Sequence, residues 1–301
     1  MPLAGPAGLQ LLIVDPLSSL IFPPSQQASE SSNDSREKNR VHWLSRWRAP
    51  NLRLHNGLPA NSRLQRSEVW GYEALVRGTE GQSARDVLNQ VNDENRYKFD
   101  QASRVKAIGL AGRLFPADSD ARLSINFMPN AVYEPSACIR ASLQAAERVG
   151  FNPGRIMFEF TEDERMSDPG HVHSIIQEYK RLGFQTALDD FGAGYAGLNL
   201  LANLQLDLIK IDMQLIRGVD RSHQRRVIIS SIAAMVRALD ISVIAEGGET
   251  EGELQTLRAA GISLFQGYLF ARPEIESLPA VQMLLSASVD RASGPLRQEG
   301  R

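Results

Sequence analysis

The sequence has a single cysteine, Cys138, and lacks a long apolar run. One cysteine excludes an internal disulfide framework and is typical of proteins from a reducing compartment. No uninterrupted apolar stretch approaches the roughly 20 residues that a membrane helix requires. The apolar segment 9–22 is interrupted by Asp15 and Pro16 and has no basic residue before it, which argues against a secretory signal. We therefore expect a cytoplasmic protein that does not insert into a membrane.

A strong charge of either sign is also missing. The 301 residues carry 33 Lys and Arg against 35 Asp and Glu, a net charge of −2. Without a basic excess, binding to DNA or RNA is not expected. The content of hydrophobic residues, 43%, is ordinary for a globular protein. The length suffices for one large domain or two medium ones.

Residues 1–66 differ in pattern from the rest of the chain. Residues 25–40 are rich in Ser, Glu, Asn and Arg and contain no aromatic residue, a composition typical of disorder. Residues 9–14 could form a strand. Residues 41–64 combine Trp43 and Trp47 with many arginines, a pattern that fits either a small amphipathic element or an interaction arm. We predict a partly disordered N-terminal extension over 1–66, which could hold a displaced first strand, and a disordered tail over 289–301.

From residue 69 onward, short apolar strands alternate with segments of helical period. Predicted helices separate and follow these strands, the last one near residues 278–285. The predicted strands cover residues 69–75, 122–127, 156–160, 185–188, 206–211, 241–245 and 263–266. This alternation predicts crossover connections and a parallel sheet. At least seven such units favour a closed α/β barrel, a TIM-like (β/α)8 fold, over residues 67–288.

The stretch 187–195 ends an apolar run with two adjacent acids, Asp189 and Asp190. Neighbouring carboxylates repel each other and stay ionised only beside a cation or strong donors. Successive strand side chains point to opposite faces, so both acids reach one site only if the chain leaves strand geometry there. Gly192 and Gly194 permit such a departure. Two divalent cations bridged by Asp189 would satisfy this pattern; the alternative is a solvated loop with an acidic helix cap.

Polar residues also interrupt or end the other predicted strands. Because the carboxyl ends of barrel strands share one rim, we expect these side chains to converge there. The full set contains five carboxylates, two amides and one ammonium: Glu73, Asn126, Glu159, Asp189, Asp190, Lys210, Glu246 and Gln266. Oxygen ligands favour hard cations such as Mg²⁺ or Mn²⁺. Taken singly, each residue has a structural explanation, such as a satisfied buried amide or a buried salt bridge.

Five carboxylates and one amide exceed what a single ion needs, so two ions are plausible. Two metals suit an in-line displacement at phosphorus. Lys210 could orient the attacking water or neutralise a phosphate oxygen. Arg77, four residues after Glu73, could clamp the phosphate, although such an arginine taken alone is more often a surface charge.

The same residues lie in ordered motifs. Glu73-Ala-Leu75-x-Arg77 is followed by Ser-Ile-Asn126-Phe, Glu159-Phe-Thr-Glu162, Asp189-Asp190-Phe-Gly-x-Gly-Tyr, Lys210-Ile-Asp, Ala-Glu246-Gly and Gln266-Gly-Tyr. Over residues 69–275 the chain resembles the EAL-domain phosphodiesterases, which hydrolyse cyclic di-GMP to linear pGpG. The resemblance implies a barrel with two ions, Mg²⁺ or Mn²⁺, and a role in lowering this second messenger in bacterial signalling. One ion would be held by Glu73, Asn126, Glu159 and Asp189, and the other by Asp189, Asp190 and Glu246.

The resemblance also implies roles for the residues around the ions. Lys210 positions the nucleophilic water, and Glu73 and Glu246 act beside it as catalytic residues. Substrate contacts come from Leu75, Arg77 and Gln266. Glu162 steadies the loop after Asp189, which in this family couples dimerisation to metal binding, so a homodimer through the barrel is implied.

The sequence departs from the family pattern before the Glu-Ala-Leu motif. Family members carry a Gln-Pro-Ile or Gln-Pro-Leu strand shortly before the Glu-Ala-Leu motif, and residues 59–66 contain no such motif. Either a long insertion splits off the first strand or that strand is replaced.

A second functional hypothesis, beside the phosphodiesterase, is a non-catalytic cyclic di-GMP receptor that signals through residues 1–66. The third is a barrel enzyme that stabilises an enolate with Lys210 as base and one Mg²⁺; it leaves Asn126 and the aspartate pair unexplained.

Overall fold

A computed structural model describes residues 51–57, 68–78, 82–162, 168–275 and 277–279. Several predicted features lie outside these residues: the strand at 9–14, the disordered segment at 25–40, the tail at 289–301 and most of the helix near 278–285. Across the described ranges, no helix is both long enough and apolar enough to cross a bilayer.

The described strands form one sheet that closes into a barrel. The strands are β1 Asn51–Gly57, β2 Glu68–Leu75, β3 Arg122–Asn126, β4 Ile156–Thr161, β5 Gln185–Phe191, β6 Leu208–Ile211, β7 Ser242–Glu246, β8 Leu264–Gln266 and β9 Glu274–Ile275. Strands β2 to β8 pair in parallel and in chain order. Strand β1 is antiparallel to both β2 and β8 and closes the ring between them. The predicted barrel fold is thus confirmed, with an antiparallel strand at its seam.

This closing strand falls within the segment that the sequence analysis assigns to the N-terminal extension. Its register pairs Leu52 with Ala74, and the pairing shifts between His55 and Asn56. A strand therefore occupies the seam although the expected Gln-Pro-Ile motif is absent. Leucines at 52 and 54, alternating with polar residues before Asn56-Gly57, are the signal that could have revealed it. The ring includes β1, which lies inside the 1–66 extension, where the sequence analysis allows for a displaced first strand.

Helices connect the parallel strands. Those described are α1 Ala84–Leu88, α2 Arg96–Leu114, α3 Pro135–Cys138, α4 Arg140–Val149, α5 Pro169–Arg181, α6 Gly197–Asn203, α7 Met213–Ile216, α8 His223–Ala238 and α9 Glu251–Ala259. The long helices match the predicted periodic segments, while the short α3, α6 and α7 were not predicted. Local caps set several ends: Ser83 and Thr250 each form a capping box, and Gly150 ends α4 with a φ of 64°.

The barrel interior is filled by a small apolar layer. Met157, Ala187, Leu208 and Ile244 come from four neighbouring strands, are at most 2% exposed and pack together. Because side chains alternate along a strand, the residue two positions further on points into the same interior. Those positions are Glu159, Asp189, Lys210 and Glu246. A charged layer therefore lies directly above an apolar one, at the carboxyl ends of the strands.

Candidate active site

Lys210 lies at the centre of the charged layer and is fully buried. Its Nζ atom is 3.3 Å from Glu73 Oε2, 3.0 Å from Glu159 Oε2, 3.0 Å from Asp189 Oδ1 and 2.9 Å from Glu246 Oε1. One ammonium therefore contacts carboxylates from four other strands. The position of Lys210 in the middle of β6 brings these acids to a common point.

The two predicted amide residues meet Glu73 from either side. Asn126 Nδ2 donates to Glu73 Oε1 at 3.0 Å, and Gln266 Nε2 donates to Glu73 Oε2 at 2.7 Å. These donors fix the amide orientations, because each nitrogen faces a carboxylate. The remaining acceptor atoms, Asn126 Oδ1 and Gln266 Oε1, are buried and have no hydrogen-bond partner among the described residues.

The end of β5 brings both aspartates to the site. Asp190 adopts a left-handed backbone conformation with φ 55°, and the pairing of β5 with β6 is irregular between Leu188 and Phe191. The departure from strand geometry expected from the sequence thus occurs at Asp190 itself, with Gly192 following at φ 92°. Non-glycine residues rarely adopt this conformation, and the cases that do occur are concentrated at functional sites.

Glu162 organises the loop that follows β5. Its carboxylate accepts backbone N–H groups from Gly192 at 2.8 Å, Gly194 at 3.4 Å and Gly197 at 2.6 Å. A Cβ atom at position 197 would approach Phe191 Cε2 to 2.8 Å and Glu162 Cδ to 3.0 Å, so a larger residue there would have to displace one of these side chains. Glu162 is thus the common hydrogen-bond acceptor for three amides of this loop.

The crowding of acids shifts several pKa values. Burial raises the pKa of Glu159 to about 8, although Lys210 opposes the shift, and burial together with Asp189 raises the pKa of Asp190 to about 7. Burial also raises the pKa values of Asp189 and Glu246. Burial lowers the pKa of Lys210, but the surrounding carboxylates outweigh it and hold the value well above the usual one. The cluster therefore contains more carboxylates than one ammonium can keep ionised, which is the condition that favours added cations.

The donor set fits divalent ions. Glu73, Glu159 and Asp189 form one group and Asp189, Asp190 and Glu246 a second, and within each group one oxygen per residue lies within 4.8 Å of the others. Asp189 belongs to both groups, as expected from the sequence for a bridging ligand. The unpartnered Oδ1 atom of Asn126 adds a neutral oxygen. Carboxylate and amide oxygens without His or Cys are the ligands that Mg²⁺ and Mn²⁺ prefer.

The predicted substrate-contacting residues differ in their burial and in their distance from the carboxylate cluster. Gln266 is buried and bonded to Glu73, Leu75 is the buried last residue of β2, and Arg77 lies half-buried two residues beyond that strand. One site residue was not predicted: the Ser124 hydroxyl donates a hydrogen bond to Glu159 Oε1. Its position two residues before Asn126, on the same side of β3, is the signal that could have identified it.

A family model describing the EAL domain matches residues 60–273. The chain belongs to the EAL domain family. This assignment confirms the resemblance drawn from the motifs, and the barrel architecture agrees with solved EAL structures. A standalone versatile EAL protein from Vibrio cholerae O395, in a c-di-GMP-bound form, is 47% identical with a TM-score of 0.72; the match covers 78% of this chain and 95% of that one.

Other relatives of this EAL barrel are longer proteins. BlrP1 of Klebsiella pneumoniae, in a manganese and cyclic diGMP complex at pH 6, is 32% identical with a TM-score of 0.68 over 78% of this chain and 59% of that one. The blue light- and temperature-regulated antirepressor BluF of Escherichia coli K12 is 34% identical over 71% of this chain. The cyclic di-GMP phosphodiesterase NbdA of Pseudomonas aeruginosa is 36% identical over 52%. The matched part spans 52% of BluF and 21% of NbdA.

Proposed function

We propose that this EAL barrel hydrolyses cyclic di-GMP to linear pGpG with two divalent ions, Mg²⁺ or Mn²⁺. The observation that carries the proposal is the shared carboxylate Asp189, which joins two groups of acidic oxygens at one rim. Relatives named as cyclic di-GMP phosphodiesterases and solved EAL complexes with this dinucleotide support the choice of substrate. Such an activity would lower a second messenger, and we expect it to operate in the cytoplasm.

The acidic and amide oxygens would hold the ions. Glu73, Asn126, Glu159 and Asp189 would surround one, and Asp189, Asp190 and Glu246 the other. When bound, such ions lower the pKa of water and screen the phosphate charge. Their charge would also offset the mutual repulsion that raises the pKa values of these carboxylates.

The chain's own groups supply orientation and proton transfer. Lys210 keeps its ammonium protonated, so it serves as a hydrogen-bond donor to the attacking water and as a counter-charge to phosphate. Glu73 and Glu246 are acceptors beside it for the proton that the water loses. Water forms a new bond to phosphorus while one ester P–O bond breaks and its oxygen takes a proton. Arg77, Gln266 and Leu75 would contact the dinucleotide.

Product analysis tests this proposal directly. Purified protein with Mn²⁺ and cyclic di-GMP should release pGpG, detected by chromatography and mass spectrometry. Glu73→Gln and Asp190→Asn should each reduce turnover by about 100-fold or more while the circular dichroism spectrum of the folded barrel is retained, because both keep the side-chain shape. Glu147→Gln, an exposed change on α4, is the matched control and should keep full activity. Absence of product with Mg²⁺, Mn²⁺ and Ca²⁺ alike would refute the hydrolase.

A second function is favoured by one specific observation. BluF is named an antirepressor and not a phosphodiesterase, although its match covers a larger share of this chain than that of NbdA. The second candidate is therefore a receptor that binds cyclic di-GMP without hydrolysing it and contacts another protein. Tight binding in calorimetry, with no pGpG after prolonged incubation with Mn²⁺, would select this candidate over the first.

The family resemblance also leads us to propose a homodimer. Tyr195 and Leu198, in the segment that Glu162 holds, are large apolar side chains exposed to solvent, which suits a contact near the metal-binding end of the barrel. Light scattering during gel filtration should give twice the chain mass. A monomer at all tested concentrations would contradict this proposal while leaving the hydrolase untouched.

A further inference from the structure

Asp100 is a buried carboxylate outside the rim cluster. It lies on α2, is 3% exposed, and its Oδ1 atom accepts the backbone N–H of Met128 at 3.0 Å. Met128 comes two residues after Asn126. An acid in the helical layer therefore contacts the backbone just beyond a residue of the candidate active site.

The bond lies where strand β3 leaves the sheet. The N–H of Phe127 still donates to the carbonyl of Glu159 on the neighbouring strand at 2.8 Å. The next amide, that of Met128, has Asp100 as its acceptor instead of a strand. Because a buried amide without an acceptor is costly, this bond to Asp100 favours the observed path of the chain.

Arg104 holds Asp100 in place. The two side chains form an ion pair at 2.6 Å, and Arg104 Nη1 donates to the hydroxyl oxygen of Tyr179 on α5 at 2.7 Å. The Arg104 guanidinium also lies 5.4 Å from the ring centre of Phe127 and 5.1 Å from that of Phe158. These rings immediately follow Asn126 and immediately precede Glu159 in the sequence. The ion pair thus contacts the neighbours of two candidate metal ligands.

Stability alone does not account for this arrangement. Replacing a buried ion pair with apolar residues of similar volume is often neutral or stabilising. A hydrophobic contact between α2 and α5 would serve the core equally well, but it would offer no acceptor to Met128.

We propose that Asp100 is a positioning residue for Asn126. By holding the backbone beyond β3 it fixes where the Asn126 carboxamide lies, so that Nδ2 meets Glu73 and the unpartnered Oδ1 faces a divalent ion. This inference rests on the proposed metal-dependent function. Groups that orient a metal ligand without touching the ion affect metal affinity by roughly 10- to 100-fold.

Two double variants separate positioning from packing. Asp100→Leu/Arg104→Met and Asp100→Asn/Arg104→Met both remove the ion pair and both deprive Tyr179 of its donor. Only the second retains a side-chain oxygen that can accept the Met128 N–H. Titration with Mn²⁺ alone, with free ion followed by electron paramagnetic resonance, gives the dissociation constant, and circular dichroism gives the melting temperature.

We expect the leucine variant to bind Mn²⁺ about 10-fold or more weakly than wild type, and the asparagine variant to stay within about 3-fold. If wild type binds Mn²⁺ and the two variants have equal dissociation constants, the inference is overturned but the proposed function is not. Failure of wild type to bind Mn²⁺ would overturn the proposed function and the inference with it.

A measurement on the unmodified protein keeps the test decisive if the leucine variant does not fold. In the metal-free protein, hydrogen exchange at the Met128 amide should be slow, because its acceptor is in place before any ion binds. Exchange as fast as that of an exposed loop amide would overturn the inference.

Discussion

Replacing Glu162 tests how the loop after β5 is held. Glu162→Ala removes the acceptor of three backbone N–H groups, and Glu162→Gln keeps one carbonyl oxygen but replaces the other with a donor. Two of the three contacts, to Gly192 and Gly197, are short, and the third, at 3.4 Å, is long. The two short bonds are the ones whose loss should be measurable.

The magnitude follows from the charge of the acceptor. A hydrogen bond to a charged group contributes about 1.5–3 kcal/mol. Glu162→Gln loses one short bond and should destabilise the protein by about 2 kcal/mol, whereas Glu162→Ala loses both and should cost about 4 kcal/mol. For a domain of this size the melting temperature falls about 2–4 °C per kcal/mol, so we expect about 4–8 °C and 8–16 °C.

Calorimetry and Mn²⁺ titration are the assays. Because the loop follows β5 within two residues of Asp190, loss of the clamp should also weaken Mn²⁺ binding about 10-fold or more. Glu147→Ala, on the exposed side of α4, is the control and should change neither value. If Glu162→Ala melted at the wild-type temperature and bound Mn²⁺ with wild-type affinity, the clamp would have no energetic role and the reasoning would be wrong.

Three further predictions concern the site and one helix end. Lys210→Met should destabilise the metal-free protein by about 3–5 kcal/mol because it leaves buried carboxylates uncompensated, and saturating Mn²⁺ should raise its melting temperature more than that of wild type. Affinity for Mn²⁺ should increase roughly 10-fold or more from pH 6 to 8.5, because the ions must displace protons from Glu159 and Asp190, whose pKa values are raised to about 8 and about 7. A dissociation constant that does not change with pH would contradict this prediction. Asp240→Gly should stabilise the protein by about 0.5–1 kcal/mol in denaturant unfolding, because Asp240 follows α8 with φ 57°, a conformation that glycine adopts without strain. The absence of any gain in the free energy of unfolding would indicate that the aspartate makes a compensating local contact.

The sequence by itself determined the barrel and the chemistry of its rim. Apolar strands alternating with helical segments leave a parallel sheet as the way to bury both element types, and parallel strands present their carboxyl ends on one side. Acids and amides at those ends, such as Glu73 and Asn126, therefore had to share a rim. The two-residue period inside each strand also placed Glu159 and Lys210 above an apolar layer, as the structure has them.

Only the tertiary structure decided the remaining features, because they depend on contacts between residues distant in the chain. Lys210 bonds to Glu73 across 137 positions, and no local pattern reports that one ammonium would face four carboxylates. Likewise, the antiparallel closure by β1 depends on pairing with both β2 and β8, and the left-handed turn at Asp190 lies beside a loop whose amides bond to Glu162 on another strand's connection. Asp100 belongs to a helix whose sequence gives no sign of the strand end it contacts. Periodicity specifies which face a side chain occupies, whereas its partner is fixed only when the barrel closes.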